Sequence, residues 1–431
     1  MRPAPPSAHG PAWAFLKSAL TVAAVGVLSS CSLYNTIKHP LPHKVKVSDP
    51  AFRQQMTSVL GPSWESGNKV TPLSNGDQIF PAMLSAIRNA KQTINFETYV
   101  YWDGDIPEQF AKALAERAQA GVQVRVLLDG HGCMRARRYS QMLLDAGVQL
   151  EVYHPLNLLS THRANYRTHR KLLIVDGKVG FIGGVGIADE WKGDARNENE
   201  WREMHYKVEG PVVAQLQGIF ADNWLDESEE LIQGPTQFPV LSAKGNMEAA
   251  GFMSSPMRGR CNMEIMFHTA IASASKSILI TTPYFIPDKE LTTALCNAAK
   301  RGVKVAVLMP GRHIDSEIVR RASRRKWPQL MEAGIELFEY QPTMIHSKVL
   351  VVDDLFVSVG SANFDPRSLR INDEANLNVL DKGFADYHTR LFLKDLRKSK
   401  QVKIDGGLTE QLSSLPFLPL QWVEMSIEGQ L

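Results

Sequence analysis

Two distant stretches of this chain carry the same pattern, and that repetition limits the fold more than any other feature. His169-Arg-Lys-Leu-Leu-Ile-Val-Asp176 is followed by Gly183-Gly-Val-Gly186, and His346-Ser-Lys-Val-Leu-Val-Val-Asp353 by Gly360-Ser-Ala-Asn363. In each copy four aliphatic residues follow the lysine, which predicts a buried strand. Residues two apart on extended chain share a face, so each histidine points the same way as its lysine. The aspartate lies an odd number of steps from the histidine and therefore on the other face. Asp176-Gly177 also reads as a hairpin turn. Asp176 and Asp353 are accordingly assigned structural support rather than chemistry.

The surroundings repeat as well. Helix-like Ile79 to Ala90, strand Thr93–Tyr101, helix Pro107 to Ala120, strand Val122–Leu128, a helix ending near Ala146 and strand Val148–Tyr153 lead to the first motif. The same order returns after residue 260. Lys91 and Lys276 are 185 residues apart, Gly121 and Gly302 181, Gly147 and Gly334 187, and the two histidines 177. So steady an offset marks a duplicated α/β unit. Strands alternating with helices predict two similar α/β/α domains with mostly parallel sheets, related by a pseudo-twofold. The expected boundaries are 31–75 for a tether, 76–234 for the first domain, 235–260 for a connector, 261–400 for the second domain and 401–431 for a tail.

The doubled His-x-Lys-x4-Asp motif resembles that of the phospholipase D superfamily. Glu200-Trp-Arg-Glu203, Thr282-Pro-Tyr-Phe-Ile-Pro-Asp288, Gly360-Ser-Ala-Asn-Phe-Asp-Pro-Arg-Ser368 and Asn372-Asp-Glu374 are similar to bacterial cardiolipin synthases and related lipoproteins. The resemblance spans roughly residues 70–400. It implies two phospholipase D-like domains sharing one active site at their interface. It also implies an enzyme exchanging phosphodiesters of an anionic phospholipid, with no cofactor and no metal. Histidine suits this chemistry because its pKa lies near neutrality. One imidazole attacks phosphorus, the other protonates the leaving oxygen, and a phosphohistidine results. Neither the residues nor the resemblance decides which histidine attacks; His169 is the one taken here. Lys171 and Lys348 would hold the non-bridging oxygens, aided by Ser361 and Asn363. Each histidine needs a carboxylate to fix its tautomer: Glu374 is assigned to the second half and Glu203 to the first. The first half departs from the family at Gly186, where an asparagine is usual.

Charge and termini bound the function further. The chain of 431 residues carries a formal net charge of +3, and its first thirty residues hold two cations and no acid. Bulk charge thus gives nucleic-acid binding no support. Arg2, His9 and Lys17 precede a short apolar run, Ser18 to Leu28, that reads as the core of a signal peptide over residues 1–30. Leu28-Ser-Ser-Cys31 resembles a bacterial lipobox, implying lipidation of Cys31 and a periplasm-facing membrane anchor, with Ser32 favouring the outer membrane. Cys133, Cys261 and Cys296 have no metal-site spacing and read as buried thiols. The expected state is a monomer with an internal pseudo-dimer. Arg320, Arg321, Arg324, Arg325 and Lys326, with Arg135, Arg137 and Arg138, read either as solvated helix faces or as a basic rim for anionic lipid. Tyr99, Tyr101, Trp102, Tyr284 and Phe285 fit pocket walls or core equally. The rival readings are a hydrolytic phospholipase D, a nuclease of the same superfamily, and a non-catalytic lipid-binding lipoprotein.

Overall fold

The aliphatic run after each motif lysine is continuous rather than alternating because both of its faces are covered. The computed structural model describes residues 37–134, 137–155 and 163–403. In chain order, α1 (Pro50–Leu60) and β1 (Glu65–Ser74) precede α2 (Asn75–Asn89), β2 (Thr93–Thr98), α3 (Asp105–Gln119), β3 (Gln123–Asp129), α4 (Arg137–Asp145) and β4 (Gln149–Tyr153). The first motif run forms β5 (Leu172–Val175), which turns into β6 (Val179–Gly183); β7 (Met204–Glu209) and α5 (Val213–Ser228) follow. The second half repeats this with β8 (Met247–Ser254), α6 (Asn262–Ser273), β9 (Ser277–Thr281), α7 (Lys289–Lys300), β10 (Lys304–Pro310), α8 (Glu317–Arg324), α9 (Trp327–Glu332) and β11 (Glu336–Tyr340). It ends with β12 (Val349–Val352), β13 (Phe356–Gly360), α10 (Pro366–Arg370), β14 (Glu374–Leu380), α11 (Lys382–Leu396) and β15 (Ser399–Gln401).

Leu173 and Val175 of β5 pack with α2 and α3, whereas Leu172 and Ile174 face the core under α5. The equivalent residues of β12 divide the same way: Leu350 and Val352 meet α6 and α7, and Val349 and Val351 join the α5 core. Phe384 and Ala385 of α11 enter that core too, so one hydrophobic layer runs beneath both halves. Each of these fully buried aliphatic side chains contributes about 2 kcal/mol on leaving water.

All the strands belong to one sheet, in the order β15-β11-β10-β9-β12-β13-β14-β8-β1-β7-β6-β5-β2-β3-β4. Apart from β15 at one edge, the order reads identically outward from the centre in both directions. The two halves meet where β1 and β8 pair antiparallel.

Three expectations need correction. The sheet is mixed rather than mostly parallel: β2–β3, β3–β4, β9–β10 and β10–β11 are the parallel pairs, and every other pairing is antiparallel. Crossover helices join only the outer strands, while β5–β6 and β12–β13 are hairpins. The stretch read as a tether to residue 75 contains α1 and β1, and β1 holds the centre of the sheet. Its apolar signature is weak because only Asn68 and Val70 are buried; its partners are backbone groups of β7 and β8. Likewise the supposed connector contains β8, which joins β1 to β14. Residues 1–36, which include Cys31 and the apolar run, and 404–431 lie outside the described residues. Among the described residues no helix is long and apolar enough to cross a membrane.

Asp176 and Asp353 sit at the β5–β6 and β12–β13 turns. Asp176 and Gly177 both have positive φ (52° and 60°), as do Asp353 and Asp354 (55° and 54°). The Asp176 carboxylate accepts the backbone N–H groups of Lys91, Gln92 and Thr93, at 2.7–3.1 Å. Asp353 accepts those of Ser275, Lys276 and Ser277, at 2.7–3.0 Å. Each aspartate thus ties the hairpin to the start of the neighbouring antiparallel strand, β2 or β9. Removing such an acceptor strands three donors, so Asp176→Ala is expected to cost about 2–4 kcal/mol. Denaturant unfolding measures this; a shift under about 0.5 kcal/mol, the scatter of neutral surface changes, would sink the assignment.

Candidate active site

The two motif histidines precede their strands and are held by backbone bonds to the opposite half. His169 N–H donates to Asp373 O (2.8 Å) and Asp373 N–H to Arg167 O (2.9 Å). His346 N–H donates to Arg202 O and Arg202 N–H to Met344 O, both at 2.8 Å. These crossed bridges carry the segments just before β14 and β7, whose next residues are Glu374 and Glu203. Lys171 and Lys348 turn back so that each Nζ donates to the carbonyl of its own histidine, at 2.8 and 2.7 Å.

The consequence is an exchange of carboxylates. His169 Nδ1 lies 3.0 Å from both carboxylate oxygens of Glu374, and His346 Nδ1 lies 2.6 Å from Glu203 Oε2. The sequence reading paired each glutamate with the histidine of its own half; the structure pairs it with the other. The reason is register: the crossed bridges place each glutamate beside the opposite motif, a contact that no local spacing encodes.

Burial lowers the pKa of both imidazoles, and the neighbouring lysines lower it further. For the carboxyls, burial pushes upward, but the imidazoles and lysines outweigh it, and Glu203 and Glu374 are both held low. The resting pairs are therefore neutral imidazole with ionised carboxylate. An ionised carboxylate can only accept, so Nδ1 carries the proton and Nε2 carries the lone pair. Burial and the Lys348 charge bring Lys171 down to about 7, and burial brings Lys348 to about 8.

The aromatic surroundings differ between halves. The ring of Tyr99 packs edge-on against His169 at 5.4 Å, and Lys171 Nζ lies 5.5 Å from its centroid. Trp191 and Trp201 pack against His346 at 5.3 and 5.5 Å. Lys348 Nζ also lies 3.0 Å from each ring nitrogen of His346. Of the other aromatics weighed from sequence, Tyr101 is core, its hydroxyl donating to Pro107 O (2.7 Å), and Phe285 is core as well. Trp102 packs tilted against Trp191 with ring centroids 6.1 Å apart, and Tyr284 donates to Asp315 at 2.5 Å.

Ser361 does not point at an open phosphate site: its hydroxyl donates to Glu374, as does that of Ser368 at 2.6 Å. Asn363 is buried with its Oδ1 unpartnered. In the first half Gly184 and Trp191 replace these serines. A Cβ on Gly184 would lie 2.6 Å from Glu203 Oε1, and one on Gly186 2.8 Å from the Trp191 ring. Trp191 Nε1 donates to Glu203 Oε2 (3.2 Å), and Met204 N–H to Oε1 (2.8 Å). The indole thus fills the space that an asparagine at 186 would need.

Sequence reasoning missed Trp191, Trp201, Ser368 and Arg170. Arg170 is fully buried, donating to Ser255 Oγ (2.7 Å) and Ile219 O (2.8 Å) and lying 3.6 Å from Asp373. Only its place between His169 and Lys171 hinted at importance. The basic clusters are largely neutralised: Arg320 and Arg324 share Glu339 at 3.0 Å, Arg321 reaches Glu317, and Arg138 pairs with Asp103 and Glu108. Arg135 lies outside the described residues. Cys133, Cys261 and Cys296 are buried free thiols. His154, Asp226 and Glu227 approach one another, but Arg163 already bridges both carboxylates at 2.8 and 3.1 Å.

The crossed pairing makes a specific expectation. In imidazole NMR spectra, Glu374→Gln should shift the His169 nitrogens and leave those of His346 near their original positions, and Glu203→Gln the reverse. Perturbation confined to the histidine of the same half would refute the exchange. Lysine carries its charge only below its pKa, so kcat/KM should fall as pH rises through about 7 to 8, where Lys171 and Lys348 discharge. A flat profile to pH 9 would contradict that dependence on the lysine charges.

The family model described as "Cardiolipin synthase, PLD-like domain" matches residues 83–224 and 267–396, one copy in each half. A cardiolipin synthase of Halalkalibacterium halodurans is 36% identical over 351 residues, covering 80% of this chain and 68% of that protein. The cardiolipin synthase A of Pseudomonas putida strain F1 is 36% identical over 78% of this chain and 70% of its own length. Among solved structures, the phosphatidylserine synthase of Haemophilus influenzae Rd KW20 superposes with a TM-score of 0.62, covering 88% of this chain and 97% of that one at 15% identity. Matched in both halves by one model and along most of its length by relatives above 30% identity, the chain belongs to the PLD-like cardiolipin synthase family of enzymes.

Proposed function

We propose that the protein is a membrane-associated phosphatidyltransferase that makes cardiolipin and glycerol from two molecules of phosphatidylglycerol. The observation that carries this reading is the pair of neutral, carboxylate-oriented imidazoles, each beside a buried lysine, in a chain whose relatives are cardiolipin synthases. His169 attacks: no protein group bonds its Nε2 among the described residues, whereas Lys348 crowds both nitrogens of His346. The His169 Nε2–phosphorus bond forms as the bond from phosphorus to the glycerol oxygen breaks, and His346 supplies the proton to that oxygen. Burial and the Lys348 charge keep the free imidazole of His346 neutral; the bound anionic phosphodiester offsets both and draws Lys348 to its own oxygens, so His346 takes a second proton from solvent on Nε2 as the complex forms, and that proton goes to the leaving oxygen. The headgroup hydroxyl of a second phosphatidylglycerol then attacks phosphorus, His346 takes its proton, and His169 leaves. Lys171 and Lys348 balance the charge on the non-bridging oxygens in a water-poor site. Ser361 and Ser368 hold Glu374.

A lipid anchor at Cys31 would present the site to the bilayer from the periplasmic side, and an internal pseudo-dimer makes a monomer sufficient. Phosphatidylglycerol vesicles incubated with the purified protein should yield cardiolipin and glycerol. Phosphatidic acid alone would favour the hydrolytic reading instead, and DNA cleavage without lipid turnover the nuclease one. His169→Ala and His346→Ala should each reduce the rate by about 10²–10⁴, and protein quenched in alkaline denaturant, where the phosphorus–nitrogen bond survives, should carry a phosphatidyl-derived phosphoryl group on residue 169 and not 346.

A further inference from the structure

A cavity of about 420 Å³ opens between the start of α2, the end of β11 and the outer face of α11. Neither motif histidine nor either motif lysine lines it, yet it backs onto their support. Arg202 forms part of its wall, and the same residue accepts the His346 N–H through its carbonyl and donates through Nη1 to Glu203 O (2.9 Å).

The charge around this cavity is unbalanced. Its two acids are already engaged: Asp395 with Arg202 Nε (3.2 Å) and Asp194 with Asn75 Nδ2 (2.7 Å). Arg390, Lys394 and Lys398 also line it, are exposed, and have no acidic partner among the described residues. Spaced four apart, they stack on one side of α11 and its extension. Like charges at this spacing cost a few tenths of a kcal/mol per pair, so the stripe does not stabilise its own helix. The dipole at the C-terminus of α11 accounts for Lys394 but not for Arg390, more than a turn earlier. Opposite the stripe, Ser74, Asn75 and Gln78 line the cavity at the start of α2, where the N–H groups of Ser74, Asn75 and Asp77 are already taken by Gln78 Oε1, Glu203 O and Gly193 O. The unpaired cations on this wall of the cavity favour an anion.

We propose that this cavity is a second anion site, taking a phosphate-bearing group, either a free phosphomonoester or the headgroup of an anionic lipid. It is separate from the reaction centre and shares Arg202 with the His346–Glu203 pair. Its existence does not depend on the reaction proposed above.

Calorimetric titration of the full-length protein separates the two sites. Lys171→Ala with Lys348→Ala weakens phosphate binding at the reaction centre, so inorganic phosphate, glycerol phosphate and phosphatidylglycerol vesicles are titrated into that variant, with phosphatidylcholine vesicles as control. A remaining binding event that weakens at least tenfold on adding Lys394→Glu and Lys398→Glu supports the site. Binding of the soluble phosphates identifies a phosphomonoester; binding of the phosphatidylglycerol vesicles alone identifies a lipid headgroup. If the glutamate variant does not fold, Lys394→Gln with Lys398→Gln replaces it, with a several-fold loss expected. No residual binding to any probe, or binding that neither substitution pair weakens, would overturn the proposal.

Discussion

Everything at the centre of this protein depends on a hydrogen bond made between its halves: His169 to Glu374, mirrored by His346 to Glu203. A carboxylate buried without a partner is costly, and so is a buried imidazole that has lost the acceptor fixing its tautomer. Each half by itself would contain one of each. Docking the halves resolves both problems at once, so assembly of the sheet and assembly of the site are one event. The crossed backbone bonds from His169 to Asp373 and from His346 to Arg202 set that register, and the β1–β8 pairing with the core beneath α5 and α11 makes it rigid.

The duplication made the two halves legible from sequence, and strand parity separated the aspartates from the histidines. Helix and strand positions in the first half were readable to within a few residues wherever apolar periodicity was strong, as in α3 and β3. The failures share a cause. β1 and β8 carry the join between halves, but β1 is held mainly by backbone ladders and β8 buries mostly small residues, Ala249, Ala250 and Gly251, beside Phe252, so neither leaves a strong strand signature. The exchange of glutamates was hidden for a related reason: Glu374 and His169 are distant in sequence, and an internal repeat is equally compatible with pairing within or between copies. The parallel bias was overestimated because alternation of strands and helices describes the outer strands, whereas the hairpins at the motif turns reverse direction.

Duplication has not left equal halves. Glu374 sits in a cage of two hydroxyls, Ser361 and Ser368, while Glu203 receives an indole N–H and a backbone N–H. The differences are linked. Gly184 leaves room for Glu203, Gly186 leaves room for Trp191, and Trp191 occupies the place equivalent to Ser368. The departure at Gly186 is therefore part of a compensated set rather than an isolated loss, which removes the only support for a chain without catalysis. Its effect falls on His346, which packs against two mutually contacting tryptophans, and not on His169, which meets a single tyrosine. Unequal surroundings suit histidines that take unequal roles, one as nucleophile and one as acid.

That asymmetry bears on the choice between transfer and hydrolysis. Under the proposed reaction a phosphohistidine must persist until a second lipid hydroxyl arrives, with water present at far greater concentration outside. Both motif histidines and both lysines are buried, and the residues against the two imidazoles are aromatic. Few polar groups remain there to order an attacking water. The crossed carboxylates are committed to Nδ1 of each ring, and Ser361 and Ser368 to Glu374, so none of these is free to act as a water's base. Under that reaction His346 takes the acceptor's proton, and an incoming lipid that brings apolar mass against Trp201 would displace water as it reaches that ring. Selection of alcohol over water then rests on exclusion by the walls of the site, while the histidine chemistry itself is indifferent to which one attacks.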